Sequence, residues 1–415
     1  MAILKAFKGL RPRPDLATQV ASRPYDVLNS EEARKEVEGN PYSLLHIIKP
    51  EVAFTSETDE HSPEVYDKAV EKFKEFQTQG WLEQDKEDKL YIYAQTMNGR
   101  TQYGIVGCAS VDDYLNGVIK KHELTRADKE EDRMKHVRNT EANMEPVFFS
   151  YPAMQSIDSF VEKYVAENKP IYDFVAEDGF GHHFWVINDP AQIKFIESEF
   201  AKIPNTYIAD GHHRTAAAAL VGKEMREKNP NHTGDEEYNF FLAVHFPDNQ
   251  LKIIDYNRVV KDLNGMNSDQ FIALLKTKFD FVDESEEILS PEQLHQFVMY
   301  IEGKWYRFNA KPEMCNDDDP IQGLDVTILS DHILSPVLGI KDLRRDKRID
   351  FVGGIRGLGE LSRRVDSNEM KVAFGLYPVS MQQLINIADT DNIMPPKTTW
   401  FEPKLRSGLV VHKLH

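Results

Sequence analysis

The chain has 415 residues, 41% hydrophobic, 10% aromatic and 28% charged, a balance that excludes a disordered tract or a small cross-linked scaffold and leaves room for two or three domains. A formal net charge of −18 argues against a general nucleic-acid footprint, which draws on clustered Lys and Arg, so nucleic acid is not an expected partner. Cys108 and Cys315 form no disulfide framework, the opening MAILKAFKGLRPRP lacks the apolar core of an export signal, and no run approaches a membrane span; the expected setting is cytoplasmic, without a membrane partner.

Residues 3–10 are apolar enough for a strand, and Arg11-Pro12-Arg13-Pro14 forces extended chain after it. A second extended piece, Ser22-Arg23-Pro24-Tyr25-Asp26-Val27-Leu28, precedes Asn29-Ser30, which cap a helix beginning at Glu31. On its own residue type, Asp26 reads as a turn or capping carboxylate. Val65, Tyr66, Ala69, Val70, Phe73 and Phe76 recur at helical spacing within 62–80 and form a packing stripe. Runs 90–95 and 101–107 read as two strands joined through Asn98-Gly99, so the N-terminal region is α+β.

Residues 120–145 are very polar and hold His122, Glu123, Asp132, Arg133, His136 and Asn143; taken singly, these side chains read as a solvated helical face. A zinc helix is excluded, because HExxH spacing from His122 would need histidine where Arg126 stands. Strands at 147–151, 171–178 and 182–187 alternate with helices at 155–168 and 190–203. Paired His182-His183 read as ordinary sheet positions.

This alternation leads into TYIADGHHRTAAAAL at 206–220, the stretch where chemistry is expected. Thr206 to Ala209 reads as a buried strand, Asp210-Gly211 as the turn, and Ala216 to Met225 as a helix of strong formers. Gly211 lets the backbone bend sharply, and the N–H groups of a first helical turn attract anions. His212, His213 and Arg214 crowd donors onto that turn, and a guanidinium can grip phosphate with two parallel bonds. A phosphoryl or carboxylate group fits; capping of the turn is the plainer alternative. Zinc is the weaker one, since adjacent histidines diverge and no cysteine pair accompanies them.

Beyond the turn, 238–246 and 251–256 read as strands paired across Asp248-Asn249, the second ending at Asn257-Arg258. Two amphipathic helices are expected within 268–300, then a strand at 304–308 and an acidic loop, Asn316 to Pro320, that lacks the ligand spacing of a calcium loop. A helix at 327–337, a strand at 348–352, a strand at 371–377 and a helix at 380–388 follow. The glycine-rich 353–359 matches neither common phosphate fingerprint. The tail MPPKTTWFEPK at 394–404 sets Lys397 and Lys404 on proline-stiffened chain.

The DGHHR turn, the PYDV stretch, the HE-x-T … DR … N … P run and the closing MPPK … PK tail together resemble the domain-of-unknown-function family numbered 1015, over nearly the whole chain. Thr398 and Glu402 stand where that family more often has serine and an aromatic. The turn by itself is similar to the glycine-centred histidine-arginine loop of the ParB and sulfiredoxin superfamily, which includes a free serine kinase and in which the loop holds nucleotide phosphates. The resemblance implies an α+β fold with a central ParB/sulfiredoxin-like mixed unit at 146–262, flanked by α+β domains at 1–145 and 263–415.

It also implies a phosphotransferase acting on a small hydroxyl metabolite and interconverting serine and phosphoserine, with Mg2+ and a nucleotide, ATP or ADP, as cofactors. Asp26, Glu123, Asp210 and His212 would be the catalytic groups. Phosphate would be held by Gly211, His213, Arg214, Thr215, Arg133, Arg258 and Lys397, and the phosphorylated small molecule by Tyr25, His122 and Lys404, with no side-chain metal cage. A phosphoserine phosphatase, a ParB-like nucleotide-gated regulator that binds DNA, and a metabolite-binding protein without turnover are the alternatives.

Overall fold

In the computed structural model, which describes residues 1–415, the Asn98-Gly99 signal is a tight hairpin: the two residues take φ of 52° and 76° and fold Leu90–Met97 antiparallel onto Arg100–Ser110. These two strands sit inside a mixed sheet of nine. In chain order its members are β1 (Leu4–Lys5), β2 (Leu90–Met97), β3 (Arg100–Ser110), β4 (Ile119–Lys120), β5 (Val147–Tyr151), β6 (Tyr172–Val175), β7 (Gly181–Ile187), β8 (Thr206–Asp210) and β9 (Phe240–Pro247). Their spatial order is β4-β8-β5-β9-β3-β2-β7-β6, with β1 also on β3. The β4–β8 and β5–β9 pairs are parallel and the others antiparallel.

Helices cover this sheet according to its period-two side-chain pattern. Leu90, Ile92 and Ala94 of β2, with Ile105 and Trp185, pack on Ile157 and Val161 of α3 (Gln155–Glu167) and on Ile193, Ile196 and Phe200 of α4 (Pro190–Phe200). Phe149, Ile208, Phe241 and Ala243 pack on Ala218 and Ala219 of α5 (His212–Lys228). The stripe on α1 (Pro63–Thr78) is buried as its spacing predicts, except Val70, which is 38% exposed. The polar run folds into α2 (Ala127–Thr140).

This sheet and its helices form one unit, Met1–Leu251 with Pro403–His415; Lys252–Glu402 form another. The boundary expected at residue 145 does not occur, because strands before it (β2, β3, β4) and after it (β5, β8, β9) share hydrogen bonds in one sheet. The hairpin expected across Asp248-Asn249 is also absent. Both edges of β9 are taken, by β3 and β5, so the chain makes a short 3-10 turn at Asp248–Gln250 and leaves.

The second unit is built on an antiparallel sheet of β10 (Tyr256–Val260), β11 (Asp280–Ser285), β12 (Gln296–Ile301), β13 (Lys304–Asn309), β14 (Ile349–Gly353) and β15 (Val372–Leu376), ordered β11-β13-β12-β15-β10-β14. Arg258 lies in the middle of β10 rather than at a strand end. Only the first of the two helices expected in 268–300 forms, Ser268–Lys278, started by a capping box of Asn267 and Gln270. The rest is strand: QFVMYI at 296–301 is buried throughout between β13 and β15, and its aromatic and β-branched residues suit a central strand. The fold is therefore mixed α+β, and no helix is long and apolar enough to cross a membrane.

Candidate functional site

The turn after β8 is shaped by two local features. The register of β8 against β5 shifts between Ile208 and Asp210, a bulge of the kind that re-aims a side chain, and Gly211 then takes φ 93°, ψ 35°. α5 starts at His212, four residues before the expected Ala216, so both histidines and Arg214 lie in its first turn. A Cβ on Gly211 would come 3.1–3.2 Å from Nε, Cζ and Nη2 of Arg214, since that guanidinium folds back against the glycine.

Arg214 is 7% exposed. Its Nη2 donates to Asp210 Oδ2 at 2.8 Å and its Nη1 to the Pro146 carbonyl at 2.8 Å. Nη1 and Nη2 are thus each tied to an acceptor inside the protein, because the bulge brings Asp210 and the Pro146 carbonyl into the fork, while Nε has no hydrogen-bond partner. Lys404 Nζ donates to the other oxygen of Asp210, Oδ1, at 2.7 Å. Burial pushes the Asp210 carboxyl up, but Lys404 and Arg214 outweigh it and hold the group well below the usual carboxylate range. With one hydrogen bond on each oxygen, Asp210 ties Arg214 and Lys404 to the turn. Thr215 is likewise turned inward: fully buried, its hydroxyl donates to the Gly211 carbonyl at 3.0 Å.

His212 is 6% exposed, meets the His122 ring edge-on at 4.5 Å and 88°, and places Nδ1 4.0 Å from Glu123 Oε2. Burial, reinforced by His122, pushes its pKa well below the ordinary histidine value, so the ring is neutral at pH 7. Burial pushes His122 down to about 4. His212 Nε2 is buried without a hydrogen-bond partner. His213 is half-buried and its Nε2 accepts the Arg126 N–H at 3.0 Å.

On the other side of the turn, Asp26 Oδ2 lies 3.9 Å from Arg214 Nη2 with its side chain 41% exposed, and Glu123 is 45% exposed. Arg133 stacks 4.0 Å over the Tyr25 ring and pairs with Asp132 at 2.6 Å. The Tyr25 N–H donates to Glu145 Oε1 at 3.0 Å. Tyr25, Asp26, His122, Glu123, Arg133, Asp210 to Thr215 and Lys404 all belong to the first unit, although they come from four distant stretches of chain.

Arg258 and Lys397 belong to the second unit. Arg258 is fully buried, donates to the Tyr256 and Pro396 carbonyls and faces the Phe351 ring at 5.3 Å; burial pushes its pKa down to about 9. Lys397 is exposed at φ 57°, with Nζ 5.7 Å from the Tyr256 ring centre. Asp132 was read only as part of the polar run, and Glu145 was not among the expected site residues. Glu145 carried one signal, a lone carboxylate at the threshold of an apolar strand, next to the Pro146 that breaks the polar run.

A family model matches residues 4–327. The chain belongs to the DUF1015 family, described as proteins of unknown function. No curated protein matches its sequence. Among solved structures, similarity to a conserved hypothetical protein from Pyrococcus furiosus runs over 74% of this chain and 95% of that one, at 14% identity and TM-score 0.33. A free serine kinase variant in complex with ADP matches over 75% and 93%, at 13% identity and TM-score 0.33. SbnI with a C-terminal truncation, from Staphylococcus aureus, matches over 73% and 87%, at 10% identity and TM-score 0.36.

In this DUF1015 chain no group of three or more His, Cys, Asp or Glu gathers as a metal cage. Mg2+ is nevertheless often held by one or two carboxylates together with substrate phosphates, and the part-exposed Asp26 and Glu123 are carboxylates of that kind.

Proposed function

We propose that this DUF1015 protein is a phosphotransferase that moves a phosphoryl group to or from the hydroxyl of a small metabolite, with serine and phosphoserine as the pair and a nucleotide as the other partner. The observation that carries this reading is the start of α5 flanked by two part-exposed carboxylates, Asp26 beside Arg214 and Glu123 beside His212. A helix start offers backbone N–H groups and a positive dipole end to phosphate oxygens. A neutral His212 adds a donor without adding a charge that would hold product tightly.

Transfer to a hydroxyl then needs a carboxylate that accepts its proton and, in most such enzymes, Mg2+ across the phosphates. Asp26 is assigned the first role and Glu123 a share of the metal. Serine is chosen because the turn is similar to the loop of the superfamily that includes free serine kinase. The protein is then a cytoplasmic enzyme of small-molecule metabolism. Because Asp26 is 41% exposed, water could take the place of the hydroxyl, and phosphoserine hydrolysis is the second reading.

The test is phosphorus NMR of the purified protein with Mg2+, using serine plus ATP, ADP or pyrophosphate, and phosphoserine alone in a separate tube. Phosphoserine is expected to form, and Asp26→Asn to slow its formation by about 10²-fold or more. Free phosphate from phosphoserine without nucleotide establishes the hydrolase instead. No change in any tube removes the serine assignment.

A further inference from the structure

Glu145 is the buried carboxylate on which separate parts of the first unit converge. It is 8% exposed. It accepts the Tyr25 N–H at 3.0 Å and the Ser407 hydroxyl at 3.4 Å, and its Oε2 lies 3.9 Å from Arg133 Nη1. Arg133 in turn stacks on the Tyr25 ring. Arg133, Glu145 and Arg214 line a cavity of about 30 Å³, and Arg133 Nη1 and Arg214 Nε are both buried without a hydrogen-bond partner.

A carboxylate placed so deep, beside guanidinium groups whose N–H donors it does not fully satisfy, is a costly way to fill a core. Apolar residues of the same volume would hold the same elements together at least as well. What an apolar residue could not do is accept the N–H of Tyr25, the residue that immediately precedes Asp26. That bond sets where the Asp26 backbone runs. Asp26 lies on a short 3-10 turn, Tyr25–Val27, in which Tyr25 and Val27 pack half-buried against the core while the Tyr25 N–H is held from outside the turn by Glu145.

We propose that Glu145 is a positioning residue: by holding the Tyr25 N–H it fixes the turn that presents the Asp26 carboxylate to the start of α5. This rests on the functional reading above, in which Asp26 takes the hydroxyl proton. Glu145 itself touches no reacting atom.

Two conservative variants separate this from a role in packing alone. Glu145→Gln keeps an acceptor at the same reach and loses the charge; Glu145→Asp keeps the charge and withdraws the acceptor by one methylene. Hydrogen exchange at the Tyr25 amide is read without any ligand, and kcat and KM are read in the phosphorus assay. Glu145→Asp is expected to speed Tyr25 exchange by about tenfold or more and to lower kcat by about tenfold or more, with KM within about twofold. Glu145→Gln is expected to stay near the wild type in both. Wild-type exchange in Glu145→Asp, or a kcat loss equally large in Glu145→Gln, overturns the proposal. Should the wild-type protein turn over nothing, the functional reading falls, while the exchange comparison still decides whether Glu145 holds the turn.

Discussion

Gly211 is constrained twice, by its φ of 93° and by the Arg214 guanidinium 3.1–3.2 Å from where a Cβ would stand. Gly211→Ala is therefore expected to destabilise the protein by about 1–3 kcal/mol, measured as a lower urea midpoint with an unchanged slope. A midpoint equal to the wild type would mean that the turn relaxes at no cost. Lys404 gives a different signature. Asp210 has a folded pKa well below its ordinary 3.8, so the unfolded chain takes up its proton first as the solution is acidified. The stability contributed by the Lys404–Asp210 pair is fully present above about pH 4 and drains away as the pH falls from there toward the folded pKa. Lys404→Met should thus be less stable than the wild type at pH 7, and the gap between them should close below about pH 4 in urea unfolding curves. A gap that is constant across that range would show that Lys404 acts through packing.

Local chemistry made much of the secondary structure readable. Asn98-Gly99 announces its hairpin because only residues at ease with positive φ suit that turn, and Asn29 announces a helix because its side chain can take an orphan N–H. The structure shows the full reciprocal box there, Asn29 with Glu32. Asn29→Ala is expected to cost about 1 kcal/mol, read by thermal or urea unfolding, and a change near zero would place the control of that helix elsewhere. Unreadable elements were those decided by distant partners. QFVMYI became a strand because two other strands lie on either side of it, which neither spacing nor propensity announces. At the DGHHR turn the strand, glycine and helix were legible. The fate of Arg214 was not, because the groups that occupy it, Asp210 and the Pro146 carbonyl, are brought in by a bulge and a neighbouring strand. Lys404 was legible as a member of a motif but not as the partner of Asp210.

At the scale of the whole molecule, the domain divisions expected at residues 145 and 262 followed the resemblance of the DGHHR stretch to a mixed unit, whereas the units follow strand pairing, and a short motif does not report which strands share a sheet. The first unit is discontinuous: its chain departs after Leu251 and returns at Pro403. On return, Ser407 bridges Ser22, Val411 bridges Leu10, and His412–Lys413 pair with Ala142–Asn143. Both Lys404, which braces Asp210, and Ser407, which donates to Glu145, lie on that returning segment. During synthesis, then, the nine strands of the first sheet leave the ribosome long before the lysine that neutralises Asp210 exists. Every nascent chain passes through an interval in which the second unit is being made while the turn carries one cation too few, and the candidate site acquires its working charge balance only when the final segment docks.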